Sequence, residues 1–393
     1  MRVLIVSWEF PPLMVGGLGR HVAELAPALA ELGHEVRVLT RGRLERATVE
    51  RAGLVTVHRA AADGLDVDLG NESVLAWTQA FEHSLTRAGL ALLAGWRPEV
   101  IHAHDWLVAQ TSQTLHQVSG APVVVTMHAT EHGRQQGWLS EPLPRAIHSV
   151  ERWLCGHAAA VIACSQFMAG QLGELFGLDP AVVSVIGNGV SAVRPPSPEQ
   201  LAGHRARYPG RPLVAFAGRL VHEKGVQELV KAVPALARDF PGIHVVIAGT
   251  GSQLAEQRDR AERYGVADRI SWPGFLDGDG VHLLFAVADV VVLPSVYEPF
   301  GIVALEAQLA GTPVAVADTG GLRELVEPGS TGVRFAAQNP AAIAAAVRGL
   351  LADPVAAAAM AEGARTQGLQ RFSWPSVAAR TAQVYQRVRR PAV

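Results

Sequence analysis

Short apolar segments alternate with longer amphipathic segments along most of this chain, and this alternation constrains the fold more than any other feature of the sequence. In the first half, the apolar segments that we interpret as buried strands are Val3–Ser7, Glu35–Thr40, Val100–Ala103, Val123–Thr126 and Ala159–Ala163. Helical patterns lie between them, near residues 18–33, 72–94, 106–118, 144–155 and 165–176. Such alternation predicts a parallel sheet that helices cover on both faces.

The alternation breaks near residues 187–212, where glycine and proline are frequent, and then starts again. Strands are then expected at Leu213–Ala217, Ile243–Ala248, Arg269–Trp272, Val290–Leu293 and Pro313–Ala317, with helices near 224–238, 252–264, 279–287, 301–310 and 340–351. The sequence thus predicts two doubly wound α/β domains, residues 1–190 and 211–372, joined by a linker over 191–210. A terminal helix is expected within 373–393. The cleft between two such sheets is the expected ligand site.

Composition excludes several classes of protein. The 393 residues include 34 basic and 36 acidic side chains, so the net charge of −2 provides no basic face for nucleic acid. No apolar run approaches the roughly 18 residues that a membrane helix needs, and the run at 1–7 is too short for a signal peptide. Two cysteines, Cys155 and Cys164, cannot form a disulfide framework, which favours a reduced, cytoplasmic protein.

Two loops after predicted strands carry groups suited to an anion. Gly16 and Gly17 stand before a helix, where a close backbone approach and the helix N-terminus favour a phosphate. A tight turn would explain the same glycines. Arg219 and Lys224 lie in Gly218-Arg219-Leu220-Val221-His222-Glu223-Lys224-Gly225, and a guanidinium with an ammonium suits a diphosphate. Lysine occurs elsewhere only at 231, although a solvated helix start would also explain these charges.

Two glutamates flank the start of the helix predicted near 301–310. Glu298 precedes this helix and Glu306 lies about two turns along it, in the segment Ser295-Val296-Tyr297-Glu298-Pro299-Phe300-Gly301-Ile302-Val303-Ala304-Leu305-Glu306. Carboxylates at these two positions, one before the helix and one within it, can accept hydrogen bonds from the hydroxyls of a sugar and a ribose. A surface-facing glutamate is the alternative at each position.

Histidines and tryptophans cluster after strands of the first half. His102 and His104 share one face of a strand, but no further histidine or cysteine has a convincing metal-ligand spacing, so no metal site is predicted. Asp66-Val67-Asp68, an Asp-x-Asp tripeptide, lies outside the motif loops. The indoles of Trp8, Trp106 and Trp138 follow strands and could pack on apolar sugar faces or simply anchor their loops.

These motifs together resemble the GT-B glycosyltransferases of family GT4 over essentially the whole chain. The resemblance rests on Gly16-Gly17, on Arg219 with Lys224, and on Glu298 with seven residues before Glu306. Phe372-Ser373-Trp374 followed by a helix is also common in that family, where this helix crosses back to the first domain. The implied fold is two Rossmann-like domains that face each other across a cleft.

A narrower resemblance points to bacterial glycogen-synthase-like α-(1→4)-glucosyltransferases, including enzymes that elongate polymethylated glucose polysaccharides. It is carried by Ser7-Trp8-Glu9-x2-Pro12, by His104-Asp105-Trp106 and by Ala129-Thr130-Glu131-His132-Gly133-Arg134-Gln135-Gln136-Gly137-Trp138. One departure is Met14, where many glycogen synthases have lysine, so a strict preference for ADP-glucose does not follow.

The resemblance implies a retaining transfer of glucose from ADP- or UDP-glucose to an α-glucan or oligosaccharide, with no cofactor, no metal and no nucleic acid. It assigns Arg219, Lys224, Gly16 and Gly17 to the diphosphate, Glu298 to the donor sugar, Glu306 to the ribose, Gly301 and Ile302 to the donor, His128 to the 6-hydroxyl, and Asp105 to donor or acceptor. Acceptor contacts are expected from Glu131, Arg134, Gln135, Trp138 and Trp8.

Several functions remain open on sequence alone. A phosphorylase on this architecture would need a lysine Schiff base to pyridoxal phosphate, and only Lys224 and Lys231 are available. The motifs are also compatible with an epimerase, with a protein that binds sugar nucleotides without turnover, and with a mannosyl-transferring, sucrose-type or maltose-1-phosphate-forming transferase. Sequence does not determine the nucleotide base, the acceptor length or the oligomeric state.

Overall fold

The computed structural model describes residues 1–62, 73–191 and 195–389, and these separate into two compact units. The first unit contains residues 1–189 together with 374–389, and the second contains residues 190–373. Each unit is built on its own sheet. The predicted pair of Rossmann-like α/β domains is therefore confirmed.

The first unit contains an eight-stranded sheet. Its strands are β1 (Arg2–Val6), β2 (Glu35–Arg41), β3 (Thr48–Ala52), β4 (Val55–Ala60), β5 (Val100–His104), β6 (Val123–Met127), β7 (Ala160–Ala163) and β8 (Val183–Val185). They lie in the order β3-β4-β2-β1-β5-β6-β7-β8, and every neighbouring pair is parallel except β3 with β4. The helices of this unit that precede residue 190 are α1 (Gly17–Glu31), α2 (Val74–Leu93), α3 (Ala109–Ser119), α4 (Glu131–Arg134), α5 (Pro142–Gly156) and α6 (Gln166–Phe176).

Three strands of this sheet have no counterpart among the sequence predictions. Four of the five residues of β3 are exposed, so its sequence lacks the apolar pattern of a buried strand. In β4, Val55 and Val57 are fully buried but alternate with polar residues, and β8 has only three residues. Strands at or near the edge of a sheet bury too little apolar surface to stand out in a sequence.

The second unit contains a six-stranded parallel sheet in the order β11-β10-β9-β12-β13-β14. Its helices are α7 (Pro198–Arg205), α8 (Val226–Asp239), α9 (Leu254–Arg263), α10 (Gly278–Val287), α11 (Ile302–Leu309), α12 (Leu322–Leu325), α13 (Pro340–Ala352) and α14 (Pro354–Phe372). Its strands are β9 (Leu213–Ala217), β10 (His244–Ala248), β11 (Ile270–Gly274), β12 (Val290–Leu293), β13 (Val314–Ala317) and β14 (Val333–Phe335). The strand order reverses next to β9, and loops after β9 and β12 carry the Arg–Lys and Glu motifs. This is the switch point at which doubly wound sheets bind ligands.

Part of the stretch that the sequence assigns to a linker is helical. Helix α7 lies within 191–210 and begins at a capping box, in which the Ser197 hydroxyl accepts from the Gln200 amide and the Gln200 side chain accepts from the Ser197 amide. Pro198 occupies its first turn, where its missing N–H costs nothing. The proline cluster that predicts a linker thus also supplies a helix start.

The last described helix, α15 (Trp374–Val388), belongs to the first unit, as predicted for the C-terminal helix. Its apolar face, which includes Val377 and Tyr385, packs in one core cluster with Val22 and Leu25 of α1. Arg387 also donates to the Ser184 hydroxyl at 2.5 Å. Burial of this face, more than helix propensity, holds α15 in place.

Within the described residues, no single helix is both long enough and apolar enough to span a membrane. Helices α13 and α14 meet a test of length and composition only as a pair, and a bend of 100° separates them.

Candidate active site

The loop after β1 is closed by a buried glutamate, Glu9, to which the sequence motifs gave no role. The Glu9 carboxylate, 2% exposed, accepts from the Val15 amide at 2.6 Å and from the Gly16 amide at 3.0 Å. Gly17 is the first residue of α1, where amides have no partner within the helix. Of the two amides predicted for a diphosphate, that of Gly16 is therefore already bonded, and Gly17 lies at the helix start.

Four histidines of the first unit form one cluster near the carboxyl ends of β5 and β6, in which His21, His102 and His104 are buried and His128 is partly exposed. His102 and His104 are 4.2 Å apart between ring centroids, which confirms that they share a strand face. His104 Nδ1 lies 3.1 Å from His128 Nε2, and His21 reaches the cluster from α1, with its ring centroid 4.9 Å from that of His128. His21 was not predicted from sequence, because it lies in an ordinary amphipathic helix.

Burial keeps these imidazoles neutral. Loss of solvation lowers the pKa of His128 to about 3, and the nearby Arg134 guanidinium contributes to the same shift. The pKa values of His21, His102 and His104 also lie well below the ordinary value, first because of burial and then because of neighbouring histidines. A neutral imidazole can both donate and accept a hydrogen bond, which suits a sugar hydroxyl.

Asp105 connects this cluster to the end of β6. Its carboxylate accepts from the His128 amide at 2.7 Å, and its own amide donates to the Thr126 carbonyl at 3.0 Å. The residue is 4% exposed and has φ 58°, a backbone conformation that non-glycine residues rarely adopt. Burial raises the pKa of Asp105 to about 6, although Arg134 and the His128 amide act in the opposite direction. A strained, buried carboxyl group beside His128 supports its assignment to the site.

The segment predicted to bind the acceptor begins with the short helix α4. Thr130 caps α4 by accepting from the Gly133 amide at 3.0 Å, and Gln135 donates to the Glu131 carboxylate at 2.9 Å. Arg134 lies 4.0 Å from the same carboxylate. The structure therefore brings Glu131, Arg134 and Gln135 together. Trp138 follows them with 75% of its surface exposed, which rules out a role as a buried loop anchor.

Trp8 and Trp106 occupy different surroundings from Trp138. The Trp8 ring packs edge-on against Trp77 at 5.9 Å, and the Arg41 guanidinium lies 5.0 Å from its centre. Trp106 is only 4% exposed. Both indoles therefore contribute to packing, and the acceptor role of Trp8 stays a prediction.

Glu151 is a buried residue that the sequence motifs did not reveal. Both of its carboxylate oxygens accept from the Glu131 amide, at 2.9 and 3.0 Å, so it holds the start of α4. Burial raises the pKa of Glu151 to about 8, and the nearby Asp105 and Glu131 act in the same direction. Its position on α5 between the buried Ile147 and Leu154 was the available clue, because a glutamate on the apolar face of a helix needs a partner.

In the second unit, the two motif loops are joined by direct contacts. Lys224 Nζ lies 2.7 Å from Glu298 Oε2, and the Ser295 hydroxyl is 3.4 Å from the same oxygen. The Glu223 carbonyl accepts from the Val296 amide at 2.9 Å, which ties the turn at 222–224 to the loop before Glu298. The structure thus places a cation and a carboxylate in one hydrogen-bonded group.

Arg219 is arranged differently from Lys224. Its guanidinium is 55% exposed and is 3.0 Å from Glu223, its partner four residues later. An exposed guanidinium held by one carboxylate keeps donors available for a phosphate at little cost.

Glycines make the approach of these loops possible. Gly225 has φ +70°, and a Cβ there would collide with the Pro294 carbonyl, so the Lys224 loop can lie against the β12 loop only without a side chain. Gly301 has φ +106°, and a Cβ would be 2.6 Å from Leu322. Helix α11 then starts at Ile302, and Glu306, half-buried, lies four residues later, roughly 6 Å along the axis. This is about one turn into the helix, where the sequence predicted two, because the helix begins after Gly301.

The chain contains two Asp-x-Asp tripeptides. Asp66-Val67-Asp68 lies outside the described residues. The chain contains a second such tripeptide, Asp277-Gly278-Asp279, in which Asp277 caps α10 by accepting from the Gly280 amide at 2.8 Å. Both cysteines lie in the described part of the chain, both are buried, and neither forms a disulfide.

Comparison with known proteins defines the class of protein. A family profile described as “Glycosyltransferase Family 4” matches residues 15–194, and one described as “Glycosyl transferases group 1” matches residues 199–367. The solved structure of sucrose-phosphate synthase from Thermosynechococcus elongatus has a TM-score of 0.84 and 25% identity, and the match covers 98% of each chain. The fold is therefore GT-B, as the sequence predicted.

Proteins of similar sequence identify the family to which the chain belongs. A glycogen synthase of Mycobacterium tuberculosis is 44% identical over 98% of this chain and 94% of that protein. An alpha-maltose-1-phosphate synthase of Mycolicibacterium smegmatis is 31% identical over 99% of this chain and all of its own length. The chain belongs to the family 4 glycosyltransferases, and the predicted resemblance to glycogen synthases is confirmed.

Proposed function

We propose that this glycosyltransferase transfers glucose from ADP-glucose or UDP-glucose to the non-reducing end of an α-1,4-glucan or maltooligosaccharide, with retention at the anomeric carbon. The observation that carries the proposal is the 2.7 Å contact between Lys224 and Glu298. It joins Lys224, which we assign to the diphosphate, to Glu298, which we assign to the donor sugar. The 44% identity to a glycogen synthase supports glucose and a glucan as substrates.

Charge on the leaving group is the main obstacle to the reaction. When the bond between the anomeric carbon and the phosphate oxygen breaks, negative charge accumulates on the diphosphate. Arg219 and Lys224 would stabilise this charge without a metal or a cofactor, assisted by the Gly17 amide at the start of α1. Glu298 holds the Lys224 ammonium in place before the donor arrives, so little reorganisation is needed during the reaction.

We favour attack of the acceptor on the face from which the leaving group departs. The acceptor oxygen forms the new bond to the anomeric carbon, and its proton passes to the leaving phosphate oxygen. Retention then needs no enzyme nucleophile, in contrast to the carboxylate pair of retaining glycosidases. His128 and Asp105 would hold donor hydroxyls through neutral or weakly charged hydrogen bonds, because burial shifts the pKa of each group towards its uncharged form.

The acceptor is assigned from the surface of α4 and the loop after it. Glu131, Arg134 and Gln135 provide donors and acceptors within one short segment, and the exposed Trp138 indole provides an apolar face. Carbohydrates combine hydroxyls with apolar ring faces, so this surface matches a glucan better than a lipid headgroup. Met14 stands where many glycogen synthases have lysine, which keeps both ADP-glucose and UDP-glucose in the proposal.

A second candidate is a transferase that forms maltose 1-phosphate, because such an enzyme is 31% identical over nearly the full chain. Its acceptor would carry a phosphate, which glucans lack. The chain would then need a cation at the acceptor, and Arg134 is the available group on α4. Binding of sugar nucleotides without turnover is a third candidate, which the assay below also tests.

A matrix of donors and acceptors tests the proposal. Purified protein is incubated with ADP-, UDP- and GDP-glucose and GDP-mannose, each with maltooligosaccharides, glucose 1-phosphate or a phosphoinositide, and the product linkage is determined. We expect elongation of maltooligosaccharides through α-1,4 bonds with ADP- or UDP-glucose. Transfer only to glucose 1-phosphate would establish the second candidate, and transfer only to the phosphoinositide would exclude a glucan acceptor. Donor binding without any product would contradict catalysis.

A further inference from the structure

The histidine cluster of the first unit contains four imidazoles, and the proposed function uses one of them, that of His128. Both ring nitrogens of His102 already have hydrogen-bond partners: Nδ1 lies 2.7 Å from the Tyr385 hydroxyl, and Nε2 lies 2.7 Å from the Thr126 hydroxyl. The strand pair that the sequence singles out is therefore not the pair that could bind a ligand together. His104 instead faces His21 and His128, which come from α1 and from the loop after β6.

These three histidines each direct one nitrogen to a common region. The three nitrogens lie within 4.8 Å of one another. His104 Nδ1 and His128 Nε2 are already 3.1 Å apart. Around a tetrahedral ion with bonds of 2.0–2.1 Å, two nitrogens are separated by about 3.3 Å. One pair therefore has the required spacing, and small side-chain rotations of His21 would close the third position.

Two hydrogen-bonding features prepare the cluster for a cation. Asn188 Oδ1 lies 2.8 Å from His21 Nδ1, and since an amide oxygen only accepts, His21 Nδ1 carries the proton and its Nε2 keeps a lone pair. Metal-bound histidines usually have such a partner on the second nitrogen. His104 is fully buried, and its Nδ1 lies 3.1 Å from His128 Nε2, so both rings already direct a nitrogen to the same region. The other nitrogen of His104, Nε2, has no hydrogen-bond partner among the described residues, and an ion bound to Nδ1 would leave it so.

We propose that His21, His104 and His128 bind one divalent transition-metal ion, with Zn²⁺ the best match. Imidazole nitrogens select such ions over Mg²⁺ and Ca²⁺, which prefer oxygen. Three protein ligands leave a fourth position for water or a ligand oxygen. Neutral imidazoles are the form that binds metal. Neither cysteine belongs to the cluster of three ligands.

The metal would inhibit the enzyme, and this consequence rests on the proposed function. His128 is assigned there to a hydroxyl of the donor sugar, so an ion on its imidazole would occupy the same atoms. Activity would then fall on addition of Zn²⁺ and return on chelation. The metal is a regulator or a competitor of the donor, and transfer itself needs none.

The binding test uses the full chain without a histidine tag, stripped of metal, and Co²⁺ as a spectroscopic probe. We expect one Co²⁺ per chain with the visible absorption of a tetrahedral site, displaced by Zn²⁺ in calorimetry. His21→Gln and His104→Gln should abolish it, and Asn188→Leu should weaken it 10- to 100-fold while leaving all three ligands in place. His148→Gln is the matched control, since His148 also has a buried nitrogen without a partner among the described residues but lies beside His132 instead.

Circular dichroism and thermal melting show whether each variant is folded, and Asn188→Leu with His21→Gln decides the question if His104→Gln does not fold. Co²⁺ binding of equal strength in all variants, or none in the parent protein, would overturn the site. Because binding is measured without a nucleotide sugar, its failure leaves the proposed function intact. Conversely, a protein that binds Zn²⁺ but transfers no glucose would refute the function alone.

Discussion

The two units use polar groups in opposite ways. In the first unit, His21, His102 and His104 are buried, and burial lowers the pKa of each imidazole well below its ordinary value. Their hydrogen-bond partners are uncharged groups: Asn188, Tyr385, Thr126 and the His128 ring. In the second, Arg219 and Lys224 remain partly exposed, and each is paired with a single glutamate. Burial decides the difference, because a lone charge survives only near water or beside an opposite charge.

The proposed function assigns different parts of a donor to these two groups of side chains. A dry group of neutral imidazoles suits uncharged hydroxyls, whereas exposed cations suit a diphosphate that loses part of its hydration on binding. A side chain that stabilises the negative charge developing on the leaving phosphate acts best where its own charge does not change during the reaction. Variants of each region can therefore be expected to fail in different steps.

The largest effect is expected from the cations of the second unit. Lys224→Ala and Arg219→Ala should each lower kcat by on the order of 10²–10³, because each removes a partner of the developing charge on the leaving phosphate. The matched controls are Lys231→Ala, which removes the only other lysine, and Arg260→Ala, which removes an arginine paired with a glutamate four residues away, as Arg219 is. Near-normal kcat for both site variants at saturating donor would remove this role.

The second prediction tests the cost of burial in the first unit. Glu82 is 4% exposed and accepts from the Thr111 amide at 3.0 Å, and burial raises its pKa to about 7 despite that bond. The Glu82 carboxyl group loses its proton near pH 4.5 in the unfolded chain, where its pKa is ordinary. In the folded protein it keeps the proton up to about pH 7. Stability should therefore fall as pH rises between these values, by roughly 3 kcal/mol at most.

Glu82→Gln removes this titration and keeps an acceptor for Thr111. At pH 8 the variant should be more stable than the parent in urea unfolding, and at pH 4 the two should be similar. Glu45→Gln, at an exposed position, serves as the control and should show no such pH-dependent difference. Equal stability of parent and variant at both pH values would mean that Glu82 is ionised without penalty.

Sequence patterns predicted the fold because the central strands are continuous apolar runs. They singled out Arg219, Lys224 and Glu298 because charged residues in loops after buried strands stand out, and the roles of these side chains stay predictions. The patterns gave no role to Glu9 and did not single out His21 or Glu151. Each of these is a polar residue at a buried position, and the partners of two of them lie far along the chain: Asn188 for His21 and the Glu131 amide for Glu151. Such pairs follow from tertiary packing, which a single sequence does not display.

The third prediction separates the two glutamates of the second unit. Glu306→Ala should mainly raise the KM for donor, roughly 10- to 100-fold, because a contact to ribose is equal in ground and transition states. Glu298→Ala should instead lower kcat, since it removes the Lys224 partner and a contact to the reacting sugar. Steady-state kinetics at varied donor measure both. An inactive Glu306→Ala that still binds donor normally would reverse the assignment.

A smaller effect is expected at the surface of the first unit. Trp138→Ala should weaken use of maltooligosaccharides by roughly 1–3 kcal/mol, the scale of burying a large apolar side chain. Its donor KM and melting temperature should be nearly unchanged, because the indole is 75% exposed and anchors nothing. Trp106→Ala gives the contrast, since loss of a buried indole should lower the melting temperature. A stability loss in Trp138→Ala that affects both substrates alike would contradict an acceptor role.

The smallest expected effect is that of a chelator. If Arg219 and Lys224 stabilise the leaving diphosphate, EDTA should leave kcat and the donor KM unchanged, because no divalent ion shares that task. Mg²⁺ and Mn²⁺ should likewise add nothing, whereas Zn²⁺ should inhibit through the histidines of the first unit. One preparation is assayed with EDTA and then with each ion in excess. Complete loss of activity in EDTA with recovery in Mg²⁺ or Mn²⁺ would show that the exposed cations of the second unit are insufficient. The leaving diphosphate would then need a metal ion in addition to Arg219 and Lys224.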